Sequence, residues 1–254
     1  MIYKKNSSSK TNDQLESVSV VMIVYNEELG IESVIKDYYK NIFLKLSKGS
    51  EFIVYLDKPT DKTPQIVKEL SKKLNLRIVE GKKNLKYAGA LRKALSFARN
   101  DWVFYSDSSG KHAAKDFWKL VKYSNDYDII NGNRSNRSDP VIRQIVTFLQ
   151  RLFVSIIFRM PQYDYNTGFK LIHKSVLDSI LPISNSVNFT ISTELLIRAY
   201  KEGSKIVDVP ISFKSRPTKS TGTQYFQLIK MALDSLVGYL IIFLEFNFGL
   251  FKNK

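Results

Sequence analysis

Phe104 to His112 reads FYSDSSGKH, an apolar run that stops on one carboxylate and continues into hydroxyls, a glycine and a lysine. A strand that ends on an aspartate is a common place to hold a divalent cation or a phosphate, yet the second carboxylate that would strengthen a metal site is absent. Two more polar clusters close apolar runs: Tyr25-Asn26-Glu27 and Asp57. Basic residues gather later, Arg134, Arg137 and Arg143 in NGNRSNRSDPVIR, and Lys214, Arg216 and Lys219 in FKSRPTK. Guanidinium forks suit phosphate. The chemistry on offer is therefore the binding of phosphate groups or of a divalent cation.

Composition points the same way. With 39 Lys and Arg against 24 Asp and Glu, the net charge of +15 favours a polyanionic partner: nucleic acid, anionic lipid headgroups or a phosphorylated substrate. No helix-turn-helix, zinc-finger or RNP-type motif is visible, so no nucleic-acid partner is expected. The absence of cysteine excludes disulfides and thiolate metal sites, and two histidines, His112 and His173, are too few for a His-rich cluster. Residues 1–17 are polar and read as a disordered leader.

The elements that must position these groups alternate. Val18 to Tyr25 is a continuous apolar run suited to a strand buried on both faces, followed by Val34, Ile35, Tyr38, Ile42 and Leu46 at helical spacing. Further strands are expected over Phe52 to Leu56, Leu76 to Val79, Trp102 to Tyr105 with its end on Asp107, and Asp128 to Ile130. Helices are expected between them, the second with Thr60 as N-cap and Pro64 in its first turn, the third marked by Ala88, Leu91, Leu95 and Ala98, the fourth over Lys115 to Tyr123. Such units build an α/β fold, a wound, mostly parallel sheet with helices on both faces, and ligands bind at the carboxyl ends of its strands. After Asp139-Pro140 comes Ile142 to Phe158, a helix with a wide apolar face and Arg143, Arg151 and Arg159 along it, a pattern of helices near lipid. A strand at Lys170 to His173, a helix over Ser192 to Lys201 and a strand at Lys205 to Phe213 follow.

The C-terminal segment, 223–254, holds the apolar run Leu233 to Phe251, interrupted by Asp234 and Glu245. It is long enough to span a bilayer, but each acid costs ~2.5 to 3.5 kcal/mol at the centre of a membrane helix. A spanning helix, an interfacial or re-entrant helix with Lys252 and Lys254 at headgroup level, and a helix docked on the soluble core all fit the pattern.

Six segments resemble, in order, the family 2 glycosyltransferases of GT-A (Rossmann-like) fold: SVVMIVYNEELGI, YLDKPTDKTPQIVKEL, NLKYAGALRKAL, YSDSSGKHAAKDFWKL, NTGFKLIHKSVL and GSKIVDVPISFKSR, the last two in the manner of the dolichyl-phosphate-mannose synthase branch of polyprenyl-phosphate glycosyltransferases. The resemblance implies a GT-A domain over 18–222 and an inverting transfer of a sugar from a UDP- or GDP-linked donor to a dolichyl or undecaprenyl phosphate, at the cytoplasmic face of a membrane. It implies donor contacts at Tyr25, Asn26, Glu27, Asp57, Ser108 and Ser109, and makes Asp107 the first acid of a D-x-D metal motif, with Mg2+ or Mn2+ as cofactor. Ser109 stands at the second acid and Lys111 where the branch often has a metal-facing glutamine, so the ammonium of Lys111 is an alternative to the metal in neutralising the leaving diphosphate. Leu56 stands where the family has an acid and Ile23 where it has proline, which leaves the base open. Acceptor contacts are implied at Arg134, Arg137, Arg143, Asp164, Thr167, Gly168, Lys214 and Arg216, with Asp107, Lys111 and Arg134 carrying catalysis. For a hydroxyl acceptor, Asp164 or Glu194 would have to serve as general base. Glu194 also has a structural alternative, pairing with Arg198 one turn on. The competing reading is a nucleotide-binding or scaffold subunit that has lost turnover through Ser109 and Lys111.

Overall fold

The computed structural model describes residues 15, 17–135, 141–185, 190–214 and 222–249. Arg137, Arg216, Lys219 and the leader, apart from Leu15 and Ser17, lie outside the described residues. Strands β1 (Val18–Val24), β2 (Glu51–Leu56), β3 (Arg77–Glu80), β4 (Trp102–Asp107), β5 (Ile129–Ser135), β6 (Phe169–His173) and β7 (Ile206–Ser212) form one sheet in the order β3-β2-β1-β4-β6-β5-β7. β6 runs antiparallel to β4 and β5, and the other pairings are parallel.

Alternation along each strand divides the apolar side chains between two cores. Val20, Met22, Val54 and Phe104 face one layer, which also buries helices α1 (Ile31–Asn41), α2 (Thr63–Ser71) and α4 (Phe117–Val121). Val21, Ile53, Val103 and Ile172 face the other, covered by α3 (Lys86–Leu95), α5 (Val141–Phe158), α6 (Lys174–Ile180), α7 (Ile191–Lys201) and α8 (Gly222–Phe248). Phe104 meets Phe117 and Phe169 edge-on at 4.8 Å, contacts worth ~0.5 to 1.5 kcal/mol each beyond burial, so the central strand is locked to its antiparallel neighbour.

Several boundaries differ from the sequence reading. Thr60 does not cap α2: its backbone N–H donates to Asn26 Oδ1 at 2.8 Å, and α2 begins at Thr63, whose N–H is taken by Asp61 Oδ1 at 3.0 Å. The expected fourth helix is split into a 3-10 turn, Ala114–Asp116, and a short α4. β5 runs on to Ser135 because β7 pairs with its whole length, and α6 was not foreseen. α8 starts at Gly222, well before the apolar run, and spans 27 residues.

Candidate active site

The parallel register aligns the strand ends. Val24 pairs with Leu56 and Ile23 with Asp107, so Tyr25, Asp57 and Asp107 emerge on the same edge. The antiparallel β6 adds a second contributor, because pairing Ser106 with Phe169 leaves Gly168 beside Asp107, and Asp107 N–H donates to the Gly168 carbonyl at 3.1 Å. A Cβ on residue 168 would come 3.1 Å from Asp107 Oδ2. Glycine there lets the loop close against the carboxylate.

Asp107 is held on two sides. Its Oδ1 accepts the Ser109 N–H at 3.1 Å and the Ser109 hydroxyl at 2.5 Å, and its Oδ2 lies 3.5 Å from His112 Nε2. Burial opposes its ionisation, but the His112 and Ser109 contacts prevail and hold its pKa below the usual aspartate value. His112 itself is buried between Phe169 and Phe213, with ring centroids at 5.3 and 5.4 Å, and its Nδ1 meets no partner among the described residues.

Two cavities meet at this carboxylate. The first, about 490 Å³, is lined by Tyr25, Glu27, Asp57, Tyr87, Ser108 and Ser109 together with Asp107 and Lys111. Within it Asp57 is almost fully buried, accepts the Leu85 N–H at 2.8 Å, and has its pKa raised by that burial. It thereby fixes the start of α3 as well as presenting a carboxylate to the cavity. The second cavity, about 290 Å³, is walled by Arg134, Arg143, Thr147 and Gly168, closed by Met231 and Ser235 of α8, and shares Asp107, Lys111 and Tyr87 with the first. Lys111 Nζ sits 6.0 Å over the Phe213 ring, and the Arg134 guanidinium 5.4 Å over the same ring.

Arg134 owes its pose to a residue expected in the acceptor site itself. Asp164, 1% exposed, takes Arg134 Nε and Nη2 at 2.7 Å each and Arg151 Nη2 at 3.0 Å. Burial works against the charge, yet the two guanidinium groups hold its carboxyl far below the ordinary value. It lies beneath the cavity, supporting the arginine.

Other expected residues are placed elsewhere. The Asn26 side chain does not line the first cavity; with its φ of +46° it turns to Thr60 and ties the first two strand-end loops together. Thr167 is fully buried, its carbonyl accepting the Ser192 hydroxyl at 3.0 Å, and Lys214 lines a separate small cavity with Asp37, Asn41 and Lys115. Neither forms the wall of the second cavity. Glu194, fully buried, accepts Arg198 Nε at 2.7 Å as its structural alternative required, so both general-base candidates are spent on arginines.

One group escaped the sequence reading. Lys170, with no exposed surface, donates to the carbonyl of Thr167, to that of Tyr165 at 3.4 Å and to the Ser192 hydroxyl at 2.9 Å. Burial pushes its pKa down to about 7, against the pull of Asp164 and Asp208. The signal was present: a lysine in FKLIH shares a strand face with Ile172, which the alternation sends to the core. Tyr87, common to both cavities, carried no such signal.

Residues 19–180 match the sequence profile of glycosyl transferase family 2. The chain belongs to glycosyl transferase family 2. A dolichyl-phosphate beta-glucosyltransferase of Dictyostelium discoideum is 25% identical over 261 residues, covering 93% of this chain and 77% of that one. A dolichyl-phosphate hexose transferase of Haloferax volcanii is 26% identical over 210 residues, covering 81% and 86%. Among solved structures, glucosyl-3-phosphoglycerate synthase of Mycobacterium tuberculosis with Mn2+, UDP-glucose and phosphoglyceric acid superposes with a TM-score of 0.69 at 18% identity, over 89% of this chain and 79% of that one. The shared architecture is GT-A-like, a mostly parallel sheet with helices on both faces.

Structural neighbours solved with Mn2+ raise the question of a metal here. Among the described residues no three histidines or acids converge. The Asp107 carboxylate with His112 Nε2 at 3.5 Å is a two-donor set facing the cavity junction. That set fits a divalent ion that draws its remaining oxygens from a diphosphate and water. The Ser109 hydroxyl, already given to Asp107, adds no charge to it.

Proposed function

We propose that this chain transfers a hexose from a nucleotide sugar, UDP- or GDP-linked, to a polyprenyl phosphate at the cytoplasmic face of a membrane. The carrying observation is the junction at Asp107 and Lys111 of a carboxylate- and tyrosine-lined cavity with one walled by two arginines and two apolar helices. The names of the Dictyostelium and Haloferax relatives support a lipid phosphate as acceptor.

In this reading Tyr25, Glu27 and Asp57 receive the base and ribose, and Ser108 and Ser109 lie along the diphosphate. Arg134, fixed by Asp164, and Arg143 grip the acceptor phosphate by charge-assisted hydrogen bonds. An oxygen of that phosphate attacks the anomeric carbon from the face opposite the diphosphate. As the new C–O bond forms, the bond to the diphosphate breaks and its electron pair leaves with the nucleotide, inverting the centre. The acceptor is already ionised, so no general base is needed, in keeping with the commitment of Asp164 and Glu194 to arginines. Lys111 faces the developing charge on the leaving group. Asp107 and His112 would hold Mg2+ or Mn2+, which supplies Lewis-acid neutralisation of the same diphosphate.

The Asp-Ser-Ser sequence keeps one other reading open, a nucleotide-binding subunit without turnover. Purified protein incubated with labelled UDP-glucose or GDP-mannose, a short polyprenyl phosphate and Mn2+ separates the two. Formation of an acid-labile lipid-linked sugar supports transfer, and nucleotide binding without product over long incubation supports the subunit.

A further inference from the structure

Among the described residues two helices, α5 and α8, are long and apolar enough to cross a bilayer, and the second is pinned to the catalytic domain. Lys230–Phe248 is 19 residues of mean hydropathy 1.5. Yet one stripe of it, Ser235, Tyr239, Ile242 and Glu245, is buried. Gly238 lies so close to the start of α7 that a Cβ there would come 2.8 Å from Thr190 Cγ2. Farther along, Arg198 of α7, 2% exposed, donates to both oxygens of Glu245 at 3.0 and 2.7 Å, and Asn185 Nδ2 donates to the same carboxylate at 3.1 Å. α7 is itself interior, with Leu195, Leu196 and Ala199 fully buried. A helix fastened to such an element from Gly238 to Glu245 cannot also be ringed by lipid there. Withdrawing it would strip both Nη groups of the buried Arg198 of their carboxylate and carry Glu245 into hydrocarbon.

The opposite stripe is apolar and bare: Leu233, Val237, Leu240 and Phe248. α5 lies alongside, joined through the Phe153–Tyr239 and Phe158–Phe243 ring contacts, and exposes Ile142, Ile145, Phe148, Leu149 and Ile156. Both helices flank the arginine-walled cavity. The exposed basic residues Arg143, Arg159 and Lys230 lie on or next to these helices. Apolar stripes accompanied by cations complement a leaflet of anionic lipid.

We infer that α8 does not cross the membrane: it and α5 lie on one leaflet as a paired docking surface, both ends of α8 on the same side, with the acceptor cavity opening between them. The inference rests on the lipid-phosphate reading of the acceptor, but its test is independent of transfer. The chain contains no cysteine, so single reporters are clean. Lys230→Cys and Asn247→Cys, both at exposed positions and at the two ends of the apolar part of α8, are treated in sealed membrane vesicles of one orientation with an impermeant maleimide. Labelling of both from the same side, to comparable extent, is expected; labelling of one only after permeabilisation overturns the inference. In a second measurement the full chain is floated with vesicles of anionic or of zwitterionic phospholipid lacking any polyprenyl phosphate. Recovery with anionic vesicles should fall at least tenfold for Val237→Glu with Leu240→Glu, while detergent-phase transfer to a short acceptor stays unchanged. Equal flotation of that double variant refutes the docking surface, whereas flotation without any transfer activity faults the acceptor reading alone.

Discussion

Asp164→Asn tests the support beneath the arginine wall. The carboxylate is 1% exposed and receives Arg134 N, Nε and Nη2 at 3.0, 2.7 and 2.7 Å and Arg151 Nη2 at 3.0 Å. An asparagine keeps the shape but removes the charge and turns an amide N–H2 toward a guanidinium. Breaking a buried pair in this way costs about 3 to 5 kcal/mol. At roughly 2 to 4 °C per kcal/mol for a chain of this size, the melting temperature should drop by roughly 6 to 20 °C. The loss should persist in high salt, because buried pairs are weakly screened. Arg134 would lose its fixed pose, so KM for the polyprenyl phosphate should rise about tenfold or more, near 1.4 kcal/mol, with KM for the nucleotide sugar little changed. The pH dependence has a definite sign. The folded-state pKa lies far below that of the unfolded chain, so the stabilisation is complete above the ordinary aspartate value near 3.8 and is lost as pH falls from there toward the folded value. The gap between calorimetric scans of parent and variant should therefore start to narrow only below about pH 4 and shrink progressively as the pH falls further. A variant melting within 2 °C of the parent at pH 7, with an unaltered acceptor KM, would refute the reasoning.

Other outcomes follow from the same geometry. Gly168→Ala puts a methyl group 3.1 Å from Asp107 Oδ2 and should lower kcat by about tenfold at near-parental stability, read from steady-state kinetics and a thermal melt. Arg143→Ala should raise the acceptor KM severalfold while Lys214→Ala, whose side chain lines a different cavity, should not; equal effects would contradict the assigned wall. Ser109→Asp with Lys111→Gln should increase dependence on Mn2+ in a metal titration of transfer, and an unchanged titration curve would reject Lys111 as a partner of the diphosphate.

The alternating core and the three strand-end clusters were legible because period-two burial and polar strand termini are local properties of sequence. Asp107, Asp57 and Tyr25 reach one edge through parallel register, which the βαβ order already dictates. What could not be read was set by pairing across long separations. Asn26 and Thr60 satisfy each other from adjacent loops, so neither does what its local pattern implied. Asp164 looked like a ligand or base because its two arginines arrive from β5 and α5. Glu245 looked like a defect in a membrane span until Arg198 of α7 supplied its partner. Lys170 was missed although the alternation exposed it, since a lone lysine in a short strand is ordinarily a solvated one.

The account turns on a nucleotide diphosphate lying where the two cavities meet. Crystals grown with UDP and Mn2+, measured for manganese anomalous scattering, address this directly. The account predicts one peak next to Asp107 and His112, with the diphosphate between it and Lys111 and the uracil toward Tyr25 and Asp57. A diphosphate ordered away from Asp107, or bound in the arginine-walled cavity instead, would contradict it.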